Sequence, residues 1–155
     1  MRLSGLAVTL AVESPRQAEV ARLLEALDAY QGALYPPESN HLLDVEALAA
    51  PDVRFIVARR GAEVVGCGAL RIDGDSGELK RMYVVPAARG QRLGRRILDR
   101  IEAEARREGL GCLRLETGVY QPEALALYRS AGYAEREAFA PYAPDPLSVF
   151  MEKIL

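Results

Sequence analysis

The spacing of apolar residues changes several times along the chain, and each change predicts an element. Ala7 to Val12 is a short apolar run with β-branched members and reads as a first strand. Val20, Leu23, Leu24 and Leu27 then recur at three- and four-residue intervals, one stripe of an amphipathic helix. Ser14 is its expected N-cap, with Pro15 at the first helical position and Gln17 completing a capping box. From Gln31 to His41 the pattern breaks, because Gly32, Pro36, Pro37, Ser39 and Asn40 all oppose regular structure. Asp44 is expected to cap a short helix, Val45 to Ala49. Two strands, Val53 to Arg59 and Glu63 to Arg71, are joined by a turn at Arg60-Gly61, and a second turn spans Asp73 to Gly77.

The centre of the chain is the stretch GELKRMYVVPAARGQRLGRRILDRIEAEARREG, Gly77 to Gly109. Glu78 to Val85 reads as a strand that Pro86 stops, since proline removes a ladder donor and fixes φ. A loop carrying Gly90 and Gly94 follows. Leu93, Ile97, Leu98, Ile101 and Ala105 then give a helix that closes at Gly109. Cys112 to Thr117 is another strand. Gln121 to Tyr133 is a helix with Ala124, Leu127, Tyr128 and Ala131 on one face, and Ala134 to Ala138 and Leu147 to Lys153 are the last strands. Pro141, Pro144 and Pro146 stiffen the loop between those two, with Tyr142 inside it.

Composition narrows the classes. A chain of 155 residues that is half apolar is long enough for one core, so one domain over residues 1–155 is expected. A net charge of −2 argues against a dedicated nucleic-acid binder, and no apolar run approaches membrane-spanning length. One histidine and two separated cysteines make a zinc site unexpected, and Cys67 and Cys112, both in apolar strands, read as buried reduced thiols of a cytoplasmic protein. No metal is therefore expected.

The loop before the long helix has a chemistry of its own. Helix N-termini present unpaired amide N–H groups and partial positive charge, glycine lets a ligand approach the backbone, and Arg89, Arg92, Arg95 and Arg96 add formal charge. The fitting guest is a phosphate or pyrophosphate, the alternative being an ordinary strand-to-helix turn with a solvated basic face. The Walker pattern is absent, because Arg95-Arg96 follows Gly94 where Lys-Ser/Thr is needed. The three-glycine dinucleotide fingerprint is absent too.

Arg89 to Gly94, preceded by Met82-Tyr83-Val84-Val85-Pro86, resembles the acyl-CoA loop of the GCN5-related N-acetyltransferases, [Gln/Arg]-x-x-Gly-x-[Gly/Ala], with Arg92 in place of the middle glycine. Gln121 to Tyr133 resembles the same family's Asn-x-x-Ala-x-x-Leu-Tyr-x-x-x-Gly-Phe/Tyr motif. There Ala124, Leu127, Tyr128, Gly132 and Tyr133 match in register and Gln121 replaces Asn. The resemblance covers about residues 50 to 155. It implies an α/β fold of mixed character, a strongly twisted central mixed sheet with helices on both faces. It also implies an N-acetyltransferase that moves an acetyl group from acetyl-CoA to a primary amine of a small molecule or peptide.

The site residues follow from that resemblance. Met82, Tyr83 and Val84 would meet the pantetheine arm, and Arg89, Gly90, Gln91, Arg92, Leu93, Gly94 and Arg95 the pyrophosphate, with Gln121 and Tyr128 also against the cofactor. Tyr128 would serve the departing thiolate, and a backbone N–H near Val84 would hold the oxyanion. Glu78, six residues before Val84 and on the same strand face by parity, is the candidate general base, the alternatives being a relay water in that role and a solvent-facing Glu78 that pairs with Lys80 or Arg81. Tyr35, Glu38, His41 and Tyr142 are candidates for the acceptor wall, and a homodimer is a family-level expectation. Two other readings stay open: a non-catalytic acyl-CoA sensor on the same fold, and a nucleotide-binding protein.

Overall fold

The computed structural model describes residues 7–40 and 43–155. One seven-stranded sheet runs in the order β1-β2-β3-β4-β5-β7-β6. The strands are β1 (Val8–Val12), β2 (Val53–Arg60), β3 (Glu63–Asp73), β4 (Ser76–Val84), β5 (Cys112–Gly118), β6 (Ala134–Arg136) and β7 (Ser148–Ile154). Every neighbouring pair is antiparallel except β4 and β5, which are parallel and connected through α3 (Leu93–Arg107). The mixed sheet expected from the sequence is therefore present.

Helices cover both faces. Ile97, Leu98 and Ile101 of α3 pack on Ile56, Leu70, Leu79, Leu113, Leu115 and Met151, and α4 (Pro122–Ser130) adds Tyr128 to this cluster. On the other face Val20, Leu23, Leu24 and Leu27 of α1 (Ala18–Leu34) and Leu48 of α2 (Val45–Leu48) pack on Phe55, Val57, Ala69 and Tyr83. The apolar stripes read from the sequence are the faces that become buried. Arg96 and Arg100 of α3 donate to the carbonyls of Val8 and Leu10, at 2.9 and 3.0 Å. They thereby cover part of the outer edge of β1, the first strand of the sheet.

Two boundaries of α1 differ from expectation. Ser14 does not cap it: its hydroxyl accepts the Arg16 N–H, the Gln17 side chain folds back on the Ser14 carbonyl, and Gln17 becomes the N-cap. The helix also runs through Gly32 to Leu34 rather than ending near Gln31. Glycine inside a helix costs about 1 kcal/mol, too little to stop one that is already packed. Pro36 stops it, by forcing Tyr35 into the extended region at φ −133° and ψ 148°. Asp44 caps α2 as expected, accepting the Ala47 N–H at 2.8 Å.

The feature that shapes the site is a bulge in β4. Lys80 pairs with Ala69 and Tyr83 with Cys67, so Arg81 and Met82 together oppose Gly68, and Arg81 takes φ +57°. The extra residue reverses the alternation of the strand. Leu79, Met82 and Val84 pack toward α3, whereas Tyr83 lies under α1. Glu78 consequently faces the α1 side, opposite to Val84, and the expected shared face does not exist.

Candidate active site

Just before the bulge β4 and β5 separate. Their pairing ends at Leu79 and Leu115, after which β4 pairs only with β3 and β5 only with β7. The gap is a cleft of about 120 Å³ that crosses the sheet. Its α3-side wall carries Leu79, Met82, Leu115, Leu127 and Tyr128, and its α1-side wall Gln31, Tyr35, Ser39, Arg81 and Glu116. Leu127 also lines a larger groove, about 720 Å³, built from Val84, Arg89, Gly90, Arg92, Leu93, Gly94 and Arg95. Cleft and groove thus meet at one side chain.

The groove sits on the start of α3. No side chain caps that helix, so its first-turn N–H groups remain available to an anion. Arg92 is the N-cap and adopts φ +60°, ψ 22°, the left-handed conformation. The place that the family pattern gives to glycine therefore needs positive φ. Arg92 meets that need at a cost on the order of 1 kcal/mol and contributes a guanidinium in return. Arg89 crosses the ring of Tyr83 and donates from Nε to the Val84 carbonyl at 3.0 Å. Arg95 pairs with Asp99 at 3.0 Å. Gln91 is an exception among the loop residues: its amide oxygen accepts from Arg60 of β2, and its side chain faces away from the groove. Tyr83 likewise lies beneath α1, away from both cavities.

Tyr128 is held by a helix-end device. The Gly132 N–H bonds to the Arg129 carbonyl and the Tyr133 N–H to the Tyr128 carbonyl, 3.1 and 3.0 Å, with Gly132 at φ +97°. This is a Schellman end, and it gives the Leu-Tyr-x-x-x-Gly-Tyr motif a physical reason. Glycine takes the left-handed turn, and the following tyrosine folds back so that the Tyr133 and Tyr128 rings meet edge to face, 5.9 Å between centroids. Tyr133 is itself anchored on Glu102 of α3, its hydroxyl donating at 2.9 Å, and Lys153 reaches the same carboxylate at 2.8 Å. The Tyr128 hydroxyl has no hydrogen-bond partner among the described residues, and burial pushes the phenol well above its ordinary pKa.

The α1-side wall is more polar than the sequence suggested. Tyr35 is buried, donates to Gln121 Oε1 at 3.1 Å, accepts the Tyr120 N–H at 3.1 Å and stacks on the Tyr120 ring. Gln121, at the N-cap of α4, lines the cleft beside it. Ser39 donates to Asp145 at 2.7 Å, which ties the segment after α1 to the β6–β7 connection. Glu38 is exposed and outside the cleft lining, and His41 lies outside the described residues.

Glu78 is buried but not in the cleft lining. Its carboxylate accepts from the Tyr142 hydroxyl and lies 3.5 Å from Lys80, which also donates to Tyr142. Tyr142 thus stands against Glu78, Lys80, Phe139 and Phe150. The carboxylate that does line the cleft is Glu116 on β5, missed at the level of sequence. Leu113 and Leu115 point to α3, so parity alone sends Glu116 to the other face. Burial raises its pKa from the usual carboxylate range to about 7, aided by the Glu78 and Asp145 charges and opposed by Ser148 and Lys80. Cys67 is a buried free thiol raised to about 12 by burial and is inert, whereas Cys112 is only half-buried.

Gly118 shows how tightly this wall is built. A Cβ there would stand 1.8 Å from the Tyr35 hydroxyl. Gly118→Ala is expected to expel Tyr35 from its place, lowering stability by about 2–4 kcal/mol with a matching drop in Tm measured by calorimetry.

A parted β4/β5 pair beside an uncapped, arginine-rich helix start is the candidate site, and comparison with known proteins gives the family. The model of the acetyltransferase (GNAT) family matches residues 20–133, and the chain belongs to that family. It is 62% identical over 150 residues to an IAA acetyltransferase of Azospirillum brasilense, covering 96% of this chain and 98% of the relative. It is 41% identical to the uncharacterized N-acetyltransferase YsnE of Bacillus subtilis over 77% of this chain and 82% of that one. Among solved structures, a Klebsiella pneumoniae protein assigned to the acyl-CoA N-acyltransferases superposes with a TM-score of 0.81 at 44% identity, over 96% of this chain and 97% of that one. The PaiA N-acetyltransferase of Thermoplasma acidophilum, solved with coenzyme A, shares the fold at a TM-score of 0.75 and 16% identity, over 97% and 100% of the chains. The protein is thus an acyltransferase. No described helix is long and apolar enough to cross a membrane.

Proposed function

We propose that the protein transfers the acetyl group of acetyl-CoA to a primary amine of a small molecule or peptide, by direct attack on the thioester. The observation that carries this reading is the parting of β4 and β5 beyond Leu79 and Leu115, which opens a cleft joined through Leu127 to the groove on α3. The pyrophosphate would lie on the first-turn amides of α3, flanked by Arg89, Arg92 and Arg95. The pantetheine arm would enter between the strands along Met82 and Val84. The thioester would then lie within the cleft, between Tyr128 and the α1-side wall.

Attack of the neutral amine forms the C–N bond and places negative charge on the thioester oxygen, which a backbone N–H near Val84 would stabilise. Collapse breaks the C–S bond and releases the CoA thiolate. The raised pKa of Tyr128 keeps its phenol protonated throughout the working range, so the hydroxyl is always available to donate to the sulfur as charge develops there. One proton of the starting ammonium leaves with a base, and the second ends on the CoA thiol.

Parallel calorimetric titrations with acetyl-CoA, CoA, ATP and NAD test the reading. Binding of the CoA species is the expected result. Binding of ATP or NAD in their place would overturn it. A panel of primary amines assayed by thiol release then identifies the acceptor, and the name of the Azospirillum relative makes IAA a member of that panel.

A further inference from the structure

We infer that Glu116, rather than Glu78, is the group that takes the ammonium proton of the acceptor. This rests on the transferase reading above and assigns the base within it.

Position is the first argument. The cleft crosses the sheet, with Tyr128 in the wall on the α3 side and Glu116 on the α1 side. A thioester held in the gap therefore has the hydroxyl for its sulfur on one side and a carboxylate on the other. The acceptor has to approach from the side that the cofactor leaves open, and that wall includes Gln31, Tyr35, Ser39, Lys80, Arg81 and Glu116, of which Glu116 alone is a carboxylate. Glu78 is on the same side of the sheet but sits outside the cleft lining, with its carboxylate bonded to the Tyr142 hydroxyl and paired with Lys80. Reaching an amine from there would mean giving up both partners.

The surroundings of Glu116 suit the task. It is half-buried, and the groups facing it are Glu78 and Lys80 of β4, Tyr142 and Asp145 of the β6–β7 connection, Ser148 of β7 and Tyr35 at the end of α1. Glu78 and Asp145 oppose its ionisation while Lys80 and Ser148 favour it, and burial outweighs the latter pair. A base whose pKa lies near the working pH is deprotonated often enough to act and basic enough to accept. Glu78, through its negative charge, is then a positioning residue that adds to the basicity that burial gives Glu116.

The proton balance is complete. Glu116 takes one proton from R–NH₃⁺. The neutral amine attacks, the C–N bond forms and the C–S bond breaks. The second nitrogen proton ends on the CoA sulfur, whose developing charge the Tyr128 hydroxyl holds by a hydrogen bond, and Glu116 returns its own proton to water.

The test is the pH dependence of kcat/KM for acetyl-CoA and the most active amine of the panel, in wild type, Glu116→Gln and Glu78→Gln. Wild type is expected to lose activity below an apparent pKa near 7. Glu116→Gln is expected to fall on the order of 100-fold at neutral pH, with acetyl-CoA affinity unchanged by calorimetry. Its remaining activity should climb about tenfold per pH unit toward the pKa of the free amine, about 10 for an alkylamine, because the substrate must then lose its proton unaided. Glu78→Gln should keep the acid limb and move it to lower pH. A limb near neutrality that survives in Glu116→Gln, or that vanishes in Glu78→Gln, overturns the assignment while leaving the transferase reading intact. Wild-type protein that binds no acetyl-CoA, or is inactive on the whole panel, overturns both.

Discussion

Replacing Tyr128 by phenylalanine is expected to lower kcat on the order of 100-fold while the Kd for acetyl-CoA stays within about threefold. The split follows from where the ring and its hydroxyl do their work. The ring is buried against Tyr133 and the α3-face core, contacts that phenylalanine keeps. The hydroxyl has no partner among the described residues, so removing it leaves no orphaned donor or acceptor behind, and folding should be unaffected. What is lost is an interaction that strengthens only as the sulfur becomes a thiolate, which is a transition-state interaction and falls on kcat. Burial has lifted the phenol far above the thiol it serves, so complete transfer of its proton is uphill. Its contribution is a short hydrogen bond to developing charge in a site that admits little water. Rapid-quench measurement of the chemical step, beside calorimetry of acetyl-CoA binding, separates the terms. Equal turnover by the variant would remove Tyr128 from the chemistry.

The same residue shows what the sequence alone makes legible. Its motif is readable because each position has a local reason: Gly132 ends the helix, Tyr133 folds back, and Tyr128 is fixed by both. The strand, loop and helix from Glu78 to Arg107 are readable for the same kind of reason. Periodicity identifies a buried face wherever the backbone repeats without interruption. The placement of Glu78 fails where that repeat is broken. Parity along β4 assumes an unbroken pleat, and the bulge at Arg81 and Met82 opposite Gly68 shifts the count by one. Arg81 is a non-glycine residue at positive φ, so no turn residue marks the bulge in the chain. Glu116 escapes notice because a single glutamate in a strand is ordinarily a solvent-facing residue. Only the departure of β4 from its side makes it part of a cleft wall. Ser14 misleads for a different reason, since a hydroxyl that can cap a helix can equally close a turn before it.

Gly94→Asp is expected to raise the Kd for CoA by at least about 100-fold, and the loss should come without loss of fold. Gly94 is the second residue of α3 and lines the groove, and its neighbour across that groove is Leu127, whose Cδ2 would lie 3.4 Å from an added Cβ. That distance is at the edge of ordinary contact, so a methyl group costs little, and Gly94→Ala should weaken binding only a few-fold. A carboxylate is different. It would occupy the space above the uncapped first-turn amides, compete for the donors that the pyrophosphate needs, and add a charge beside Asp99 that repels it. For the free protein the same charge is favourable, because an acidic residue in the first turn complements the helix dipole by a few tenths of a kcal/mol. Affinity and stability should therefore move in opposite directions, a pattern that general damage to the loop cannot produce. Calorimetric titration with CoA at low and high salt, alongside thermal unfolding, measures both. Unchanged affinity in Gly94→Asp would mean that the pyrophosphate binds elsewhere. Equal losses in Gly94→Asp and Gly94→Ala would make the effect steric and assign the charge no part in it.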